Sequence, residues 1–336
     1  MTKIAIIGIT GAVGQTFVKV LEERKIKADY YLFASARSAG KKVSVMGKQL
    51  TVIELNAENV RAVKPDFALF SACGDISKQF APLFVELGCT VIDNSSAFRA
   101  EPNIALVVPE CNMDDAIKNY KSRGNRGIIV ANPNCSTIPC MVVLKPLHDM
   151  YKLKRVIYNT YQAVSGAGQE GINDYHAGLR GEPPKKFVHP IVSNLIPHID
   201  AFLDNGNTKE EEKMINESRR ILHHPKLSVS ATTVRVPIQN CHSISVNAEF
   251  EKQPDIVTIK KILGNMDGVI LADDTAKNMY PMPLLADDRD EVFVGRIRPD
   301  NSHPNTINMF VTCDNIRKGA ATNAVQILQL LMTNDK

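Results

Sequence analysis

A glycine-spaced loop near the N-terminus constrains this chain more than any other feature. The apolar run Ile4–Ile7 leads into Gly8-Ile-Thr-Gly11-Ala-Val-Gly14, and a helix-like stretch follows over Val13–Glu23. Glycines at these positions let the chain turn tightly and let a pyrophosphate approach the amides at the start of the helix. The spacing is GxxGxxG rather than GxGxxG, so a tight turn without a ligand stays open as the alternative. In its context the loop predicts a nucleotide-binding α/β domain.

The first third of the chain alternates apolar runs with helix-like stretches. The runs are Ile4–Ile7, Tyr30–Ala34, Phe67–Ser71, Thr90–Ile92 and Ile128–Ala131, and the helical stretches include Val13–Glu23 and Lys78–Leu87. Such alternation is typical of a doubly wound parallel sheet. We predict a Rossmann-type domain over residues 1–131, completed by an amphipathic C-terminal helix over 318–336.

A second domain is predicted over residues 132–317, where strand-like runs dominate. These runs are Val156–Tyr161, Leu227–Val236, Ser243–Phe250, Val292–Ile297 and Ile307–Thr312. Their alternating patterns, with fewer helices between them, predict an α+β domain with a mixed or antiparallel sheet. The segment Gly178–Pro190 is expected to form a long loop.

Composition and charge exclude several classes of protein. The 336 residues fit two domains, and the net charge of +4 comes from scattered basic residues, so we expect no nucleic-acid partner. No apolar run is long enough to span a bilayer, so we expect no membrane segment. The seven cysteines include no CxxC pair, which argues against a disulfide framework and a cysteine-rich metal site. We therefore expect a cytoplasmic protein without a metal.

The loop after the second predicted strand bears on the choice of nucleotide. An acidic residue there would bind the ribose 2′-hydroxyl of NAD, but this chain has Ser35-Ala-Arg37-Ser38 instead. Two hydroxyls and a guanidinium suit a 2′-phosphate, which favours NADP. Solvated loop residues are the alternative interpretation.

Cys135 is the candidate nucleophile. It lies in Asn132-Pro-Asn134-Cys135-Ser-Thr, after the apolar run Ile128–Ala131 and before the helical pattern Ile138–Leu147. At a helix N-terminus the positive end of the dipole favours thiolate over thiol. None of the other six cysteines is expected to have such a setting, and an inert Cys135 is the alternative.

His242 is the best proton partner among the eight histidines. It opens a strand pattern, where its side chain can point into a cleft. The pair His223-His224 consists of potential metal ligands, but no third ligand has suitable spacing, so we interpret the pair as surface residues.

Taken together, the motifs resemble those of the aspartate-semialdehyde dehydrogenase family. Besides the glycine loop and the Cys135 segment they are Asp93-Asn-Ser-Ser-Ala-Phe-Arg99, Tyr161-Gln162-Ala-Val-Ser-Gly-Ala-Gly168, Arg235-Val-Pro…His242-Ser and Gly319-Ala-Ala-Thr-Asn323-Ala. They cover nearly the whole chain in order, and their joint occurrence is highly specific.

The resemblance implies a reaction, the pathway to which it belongs and the domain that catalyses it. The family reduces L-aspartyl-4-phosphate to L-aspartate 4-semialdehyde with NADPH and releases phosphate, on the path to lysine, methionine and threonine. Cys135 would form a thioester that accepts hydride, and His242 would act as acid and base. The second domain would carry catalysis and dimerisation, and the protein would be a homodimer.

The resemblance also implies the remaining site residues. Gln162 would orient the acylated intermediate. Arg235 would bind the substrate carboxylate, Glu210 its ammonium group, and Arg99 and Lys213 the phosphate, with Asn134 a further substrate contact. Cofactor contacts would come from Gly8, Thr10, Gly11, Ala12, Val13, Gly14, Ser35, Arg37, Ser38, Ser71, Ala72, Ser165, Gly166 and Asn323.

Three positions depart from the family pattern, and two other functions stay open. Cys73 and Cys241 stand where the family often has glycine, and Pro139 where it commonly has glutamine. N-acetyl-glutamyl-phosphate reductase performs the same chemistry on a longer substrate and is the closest rival. A non-catalytic NADP-binding regulator is the alternative from another class.

Overall fold

The computed structural model describes residues 1–334, which form fourteen strands and ten α-helices. The strands are β1 (Lys3–Ile7), β2 (Asp29–Ala34), β3 (Lys42–Val45), β4 (Lys48–Glu54), β5 (Phe67–Phe70), β6 (Thr90–Asp93), β7 (Ala105–Leu106), β8 (Ile129–Ala131), β9 (Leu153–Gln162), β10 (Ser228–Arg235), β11 (His242–Phe250), β12 (Val269–Leu271), β13 (Val292–Pro299) and β14 (Thr306–Cys313). The helices are α1 (Ala12–Glu23), α2 (Ala57–Val63), α3 (Gly74–Glu86), α4 (Pro109–Lys121), α5 (Thr137–Tyr151), α6 (Gly168–Leu179), α7 (Lys209–Ile221), α8 (Ile256–Gly264), α9 (Pro283–Ala286) and α10 (Thr322–Thr333).

The chain folds into two compact units. Of the described residues, the first comprises 1–133 and 320–334, and the second comprises Asn134–Gly319. Within residues 1–334, no helix combines the length and apolar character that crossing a bilayer requires.

The first unit contains an eight-stranded sheet in the order β3-β4-β2-β1-β5-β6-β8-β7. Every neighbouring pair is parallel except β3 and β4, which form a hairpin that the sequence patterns did not reveal. Strands β1, β5 and β6 are almost entirely buried, as expected for parallel strands covered on both faces. The predicted doubly wound parallel sheet is confirmed.

The glycine loop joins β1 to α1. Gly8 has a φ of +79°, a conformation that residues with a Cβ rarely adopt. A Cβ on Gly14 would lie 2.3 Å from the Gly8 carbonyl oxygen, so the loop closes only with glycine there. The sheet order reverses between β1 and β5, and ligands of such sheets bind at the carboxyl ends of the strands beside this point.

The C-terminal helix starts later than predicted. Residues Arg317–Ala321 form a π-helical turn, and α10 then runs over Thr322–Thr333. Its buried face includes Val325, Leu328 and Leu331, and the helix packs against α1 and α4. The last two residues of the predicted helix 318–336 lie outside the described part of the chain.

The second unit contains a six-stranded mixed sheet in the order β10-β9-β11-β14-β13-β12. The pairs β10-β9 and β12-β13 are parallel, and the others are antiparallel. Each predicted strand is present within a few residues of its predicted bounds. The predicted scarcity of helices is wrong, because α5 to α9 all belong to this unit, and the loop predicted from Gly178 begins only after α6 ends at Leu179.

A buried capping box fixes the start of α7. The Thr208 hydroxyl accepts a hydrogen bond from the Glu211 amide, and the Glu211 carboxylate accepts one from the Thr208 amide at 2.7 Å. The same carboxylate also accepts the Thr233 amide of β10 at 3.0 Å. Glu211 therefore joins the helix to the sheet as well as capping it.

We predict that Glu211→Ala destabilises the protein, because it removes the cap and leaves the buried Thr233 amide without an acceptor. The expected loss in the free energy of unfolding is about 2 to 4 kcal/mol. Calorimetric unfolding temperatures compare this variant with Lys209→Ala, an exposed change in the same helical turn. Equal unfolding temperatures for the two variants would contradict the prediction.

Candidate active site

Cys135 lies immediately before the N-cap residue of α5 and is partly exposed. The Asn134 side chain caps this helix end, because its Oδ1 accepts hydrogen bonds from the amides of Ser136 at 2.8 Å and Thr137 at 3.3 Å. The sulfur therefore lies near a capped helix N-terminus, as predicted. Arg235 adds a second positive influence, since the Cys135 thiol and this guanidinium interact electrostatically.

Two further residues contact the Cys135 segment: Glu217, which the sequence patterns did not single out, and Gly319, which they gave only as the first residue of a motif. The buried Glu217 carboxylate accepts the Asn134 amide at 2.6 Å. A Cβ on Gly319 would lie 3.2 Å from both the Cβ and the carbonyl oxygen of Cys135. The only sequence signal for Glu217 was its place on the buried stripe of α7, two turns beyond Glu210.

The Glu210 carboxylate connects the candidate residues. Its Oε1 accepts hydrogen bonds from Asn134 Nδ2 at 2.8 Å and Gln162 Nε2 at 3.2 Å, and its Oε2 lies 3.1 Å from Lys213 Nζ. Burial alone would raise the pKa of Glu210, but Lys213 and these hydrogen bonds outweigh burial and lower it. A buried anion is thus maintained beside the Cys135 segment.

Lys213 and Asn134 are already engaged by the protein. The Lys213 ammonium donates to Asp200 at 2.8 Å as well as to Glu210. Although burial opposes it, these two carboxylates raise the pKa of Lys213. Both ends of the buried Asn134 amide are likewise occupied, so its geometry fits a positioning role better than the direct substrate contact that the resemblance implied.

Strand order brings Arg235 and His242 together. Arg235 ends β10 and His242 begins β11, and these strands flank the end of β9 on its two sides. Gln162, the last residue of β9, is in register with Arg235. Residues far apart along the chain thereby meet at one edge of the sheet.

The backbone of Ala163 anchors both side chains. Arg235 Nη1 donates to the Ala163 carbonyl at 2.6 Å, and the Ala163 amide donates to His242 Nδ1 at 3.1 Å. Burial lowers the pKa of Arg235, while Glu210 and Cys135 oppose that shift. Burial, and then Arg235, lower the pKa of His242 well below its usual value.

Ser165 and Gly166 lie in a 3₁₀ turn directly after Ala163. The Asn315 side-chain amide donates to the Ser165 hydroxyl at 3.1 Å, and its oxygen accepts the Cys241 amide at 2.9 Å. A Cβ on Gly166 would lie 2.8 Å from Arg235 Nη1. These two predicted cofactor contacts therefore belong to the second unit, beside the catalytic candidates.

The predicted cofactor residues of the glycine loop, together with Ser71 and Ala72, lie where the sheet order reverses between β1 and β5. The Ser71 hydroxyl donates to the Ile7 carbonyl at 2.9 Å, which places Ser71 and the following Ala72 beside Gly8. Gly11, the N-cap residue of α1, has no side chain with which to occupy the first helix amides, so those amides suit a phosphate. Thr10, Gly11 and Ala12 are exposed in this loop, with Val13 half-buried behind them.

The loop Ser35–Ser38 and the residue Asn323 lie in different surroundings. Ser35 precedes a short 3₁₀ turn over Ala36–Ser38, on which Arg37 is exposed and Ser38 is half-buried. Asn323 is fully buried, and its Nδ2 donates to the Val107 carbonyl at 3.0 Å and to Asn132 Oδ1 at 2.7 Å. The Asn323 amide group therefore makes hydrogen bonds inside the first unit.

Arg99 lies in the first unit, after β6. Its Nη2 donates to the Asn94 carbonyl at 2.7 Å, which holds the guanidinium against the Asp93–Arg99 segment. Burial raises the pKa of Asp93 in the same segment, although hydrogen bonds from Ser95 and Ser77 oppose the shift.

The three departures from the family pattern have distinct structural settings. Cys241 has a φ of +73°, which explains why glycine is common there. Pro139 lies in the first turn of α5, where proline is tolerated. Cys73 is exposed at the N-cap position of α3. The expectation that only Cys135 precedes a helix is therefore wrong.

One group among residues 1–334 has ligand atoms close enough to hold a metal. The Cys241 sulfur and one carboxylate oxygen each of Asp287 and Asp314 lie within 4.8 Å of one another. The Asp314 carboxylate already accepts the amides of Ile316, Arg317 and Asp288. Its position is thus explained by capping the turn after β14.

Comparisons with known proteins match this architecture over nearly its whole length. Two family models match: semialdehyde dehydrogenase, NAD binding domain, over residues 3–120, and semialdehyde dehydrogenase, dimerisation domain, over residues 144–318. An aspartate-semialdehyde dehydrogenase of Aquifex aeolicus is 50% identical, with 98% of each chain covered.

Solved structures agree with these matches. A crystal structure of aspartate semialdehyde dehydrogenase II complexed with ASA from Vibrio cholerae has a TM-score of 0.92 and 41% identity, covering 99% of this chain and 98% of that one. A Candida albicans aspartate semialdehyde dehydrogenase with NADP has a TM-score of 0.79 and 25% identity, covering 100% and 99%. On its motifs, its fold and these relatives, the chain belongs to the aspartate-semialdehyde dehydrogenase family.

Proposed function

We propose that the protein catalyses the NADPH-dependent reduction of L-aspartyl-4-phosphate to L-aspartate 4-semialdehyde and phosphate, for the synthesis of lysine, methionine and threonine. The observation that carries this proposal is the hydrogen-bonded assembly of Asn134, Gln162 and Glu210 beside Cys135, with Arg235 and His242 held by Ala163. It joins a nucleophile to groups of both charges, as a substrate with a carboxylate and an ammonium group requires.

Each residue has a role that follows from its surroundings. Cys135 attacks the acyl carbon, expels phosphate and forms a thioester. Arg235 binds the substrate carboxylate and Glu210 the ammonium group, because each carries the opposite charge in a buried setting. Gln162, anchored on Glu210, orients the acylated intermediate. The phosphate roles of Arg99 and Lys213 stay predictions.

NADP fits the glycine loop and the Ser35–Ser38 turn of the first unit. The uncapped amides of α1 suit the pyrophosphate, and the exposed Arg37 suits a 2′-phosphate. When bound, the nicotinamide supplies the hydride that reduces the thioester. The Candida albicans relative solved with NADP supports the same choice.

We further propose a cytoplasmic homodimer. The match to a dimerisation domain over residues 144–318 supports the oligomeric state. All seven cysteines are free, which suits a reducing compartment. The two alternative functions gain no support, since the matched relatives are named as aspartate-semialdehyde dehydrogenases.

We predict that Cys135→Ser abolishes phosphate-dependent reduction of NADP by L-aspartate 4-semialdehyde. The expected loss in kcat is roughly 10³-fold or more, because a hydroxyl is a far weaker nucleophile than a thiolate. Cys140→Ser, in the first turn of α5, serves as the control for loss of a thiol alone. A native enzyme that binds NADP but shows no turnover would refute the proposed reaction.

We predict that Arg37→Ala weakens NADP binding about tenfold or more and leaves NAD binding nearly unchanged, because only NADP has a 2′-phosphate. Fluorescence titration with both reduced cofactors measures the two dissociation constants. Lys42→Ala removes another exposed cation of the same unit as a control. Equal losses for both cofactors would contradict the role of Arg37.

We predict that Gly166→Ala lowers kcat/KM about 100-fold, because displacing an aligned group by 1 Å can have that effect. A Cβ at this position would lie 2.8 Å from Arg235 Nη1 and 3.2 Å from His242 Nε2. Gly264→Ala in the same unit meets only ordinary contacts and is the control. Steady-state kinetics give kcat/KM for both variants. Similar values of kcat/KM for the two would show that Gly166 is not critical.

A further inference from the structure

We propose that Asp200 is a positioning residue that adapts the site to a substrate with an ammonium group. Its carboxylate holds the Lys213 ammonium group, so that Glu210 can bind the ammonium group of the substrate. This role rests on the proposed function, in which Glu210 binds that group. It assigns a task to a residue that neither the sequence patterns nor the family resemblance singled out.

Asp200, Lys213 and Glu210 form a row that runs from the surface into the second unit. The Lys213 ammonium nitrogen lies 2.8 Å from Asp200 Oδ2 and 3.1 Å from Glu210 Oε2. The exposed fraction of the side chain falls along the row, from 38% for Asp200 to 24% for Lys213 and 7% for Glu210. Lys213 is therefore shared by an outer and an inner carboxylate.

The charges in this row match one further cation. Two carboxylates face a single ammonium group, so the row has one negative charge in excess. The Arg235 guanidinium also acts on Glu210, but it is proposed to bind the substrate carboxylate. A substrate ammonium group at Glu210 gives each carboxylate one cation, because Lys213 can stay with Asp200. Without Asp200, Lys213 would neutralise Glu210 and repel a second ammonium group beside it.

The Glu210 carboxylate has an acceptor site for this group. Its Oε1 accepts hydrogen bonds from Asn134 and Gln162, and within residues 1–334 only Lys213 donates to Oε2. The two oxygens of a carboxylate offer about four acceptor sites, so one site on Oε2 is left. Two ammonium groups at one oxygen repel each other, and Asp200 offsets this repulsion by holding Lys213.

The backbone fixes Asp200 in its place. It has a φ of +67°, a conformation that aspartate and asparagine adopt more readily than other residues with a Cβ. Its Oδ1 accepts the Ala201 amide at 2.8 Å, which leaves Oδ2 for Lys213. The Ala201 carbonyl accepts the Lys209 amide at 2.9 Å. The turn is thereby tied to the start of α7, the helix that carries Glu210 and Lys213.

The surroundings keep the outer ion pair charged. Burial alone would raise the pKa of Asp200, but hydrogen bonds from Lys213 and Ala201 outweigh burial and lower it. Lys209 also acts on this carboxylate, but its side chain is exposed and screened by solvent. Lys213 is therefore the cation that Asp200 holds.

The variant Asp200→Asn removes the charge and keeps the local structure, because asparagine tolerates the same φ and its Oδ1 can accept the Ala201 amide. We expect KM for L-aspartate 4-semialdehyde to rise about tenfold and kcat to change less than about twofold, since binding of the ammonium group is lost. Asp204→Asn, which removes an exposed carboxylate of the same loop, should change neither value. A lower kcat at unchanged KM, or equal effects of the two variants, would overturn the proposal.

A binding experiment tests recognition of the ammonium group without turnover. L-Aspartate and succinate differ only in this group, and ligand-observed NMR titration gives the dissociation constant of each. We expect the native protein to bind L-aspartate more tightly than succinate. Asp200→Asn should weaken L-aspartate binding about tenfold and change succinate binding less than about twofold. Equal losses for both ligands, or no preference of the native protein for L-aspartate, would overturn the role of Asp200.

The role of Asp200 and the proposed reaction can fail separately in these measurements. A native protein that binds the two ligands as expected but shows no phosphate-dependent turnover would refute the reaction and support the role of Asp200. Turnover of the semialdehyde without a preference for L-aspartate over succinate would support the reaction and refute the role of Asp200.

Discussion

The backbone of Ala163 is the constraint on which the site of the second unit depends. One buried peptide unit on each side of this residue supplies an acceptor for Arg235 and a donor for His242. Both bonds use main-chain atoms of Ala163, whose position is set by the end of β9. A substitution at residue 163, other than to proline, therefore leaves these donor and acceptor groups in the chain. These two hydrogen bonds, at 2.6 Å for Arg235 and 3.1 Å for His242, restrict rotation of two side chains that must meet one small substrate.

The second constraint is a buried carboxylate that stays charged. Glu210 is ionised because Lys213, Asn134 and Gln162 compensate for its burial. The neighbouring Glu211 has a separate task, since its carboxylate caps α7 and binds the amide of Thr233. Of these two adjacent glutamates on one helical turn, Glu210 therefore belongs to the candidate site and Glu211 stabilises the fold. Substituting the first should affect substrate binding, and substituting the second should affect folding, because their partners do not overlap.

Sequence patterns located the long elements and several polar residues, and they failed where the signal was short or indirect. Strand β11 was predicted to within a residue because alternation over Ser243–Phe250 is clear. The hairpin of β3 and β4 was missed because its half-exposed residues follow no strong pattern. Ala163 and Gly319 carry no functional group, so no argument from side-chain chemistry could find them. The position of Cys73 at a helix N-terminus was missed because its helix was predicted to begin four residues too late.

The sequence alone determined the two-domain α/β organisation, the glycine loop between β1 and α1, the choice of Cys135 as the candidate nucleophile and, through its joint motifs, the family. These features are local in the chain, so spacing and periodicity record them. Only the tertiary structure decided that Glu217 holds the Asn134 amide and that His242 turns Nδ1 toward Ala163. Those assignments depend on strand order and on hydrogen bonds between residues as much as 83 positions apart, which no local pattern encodes.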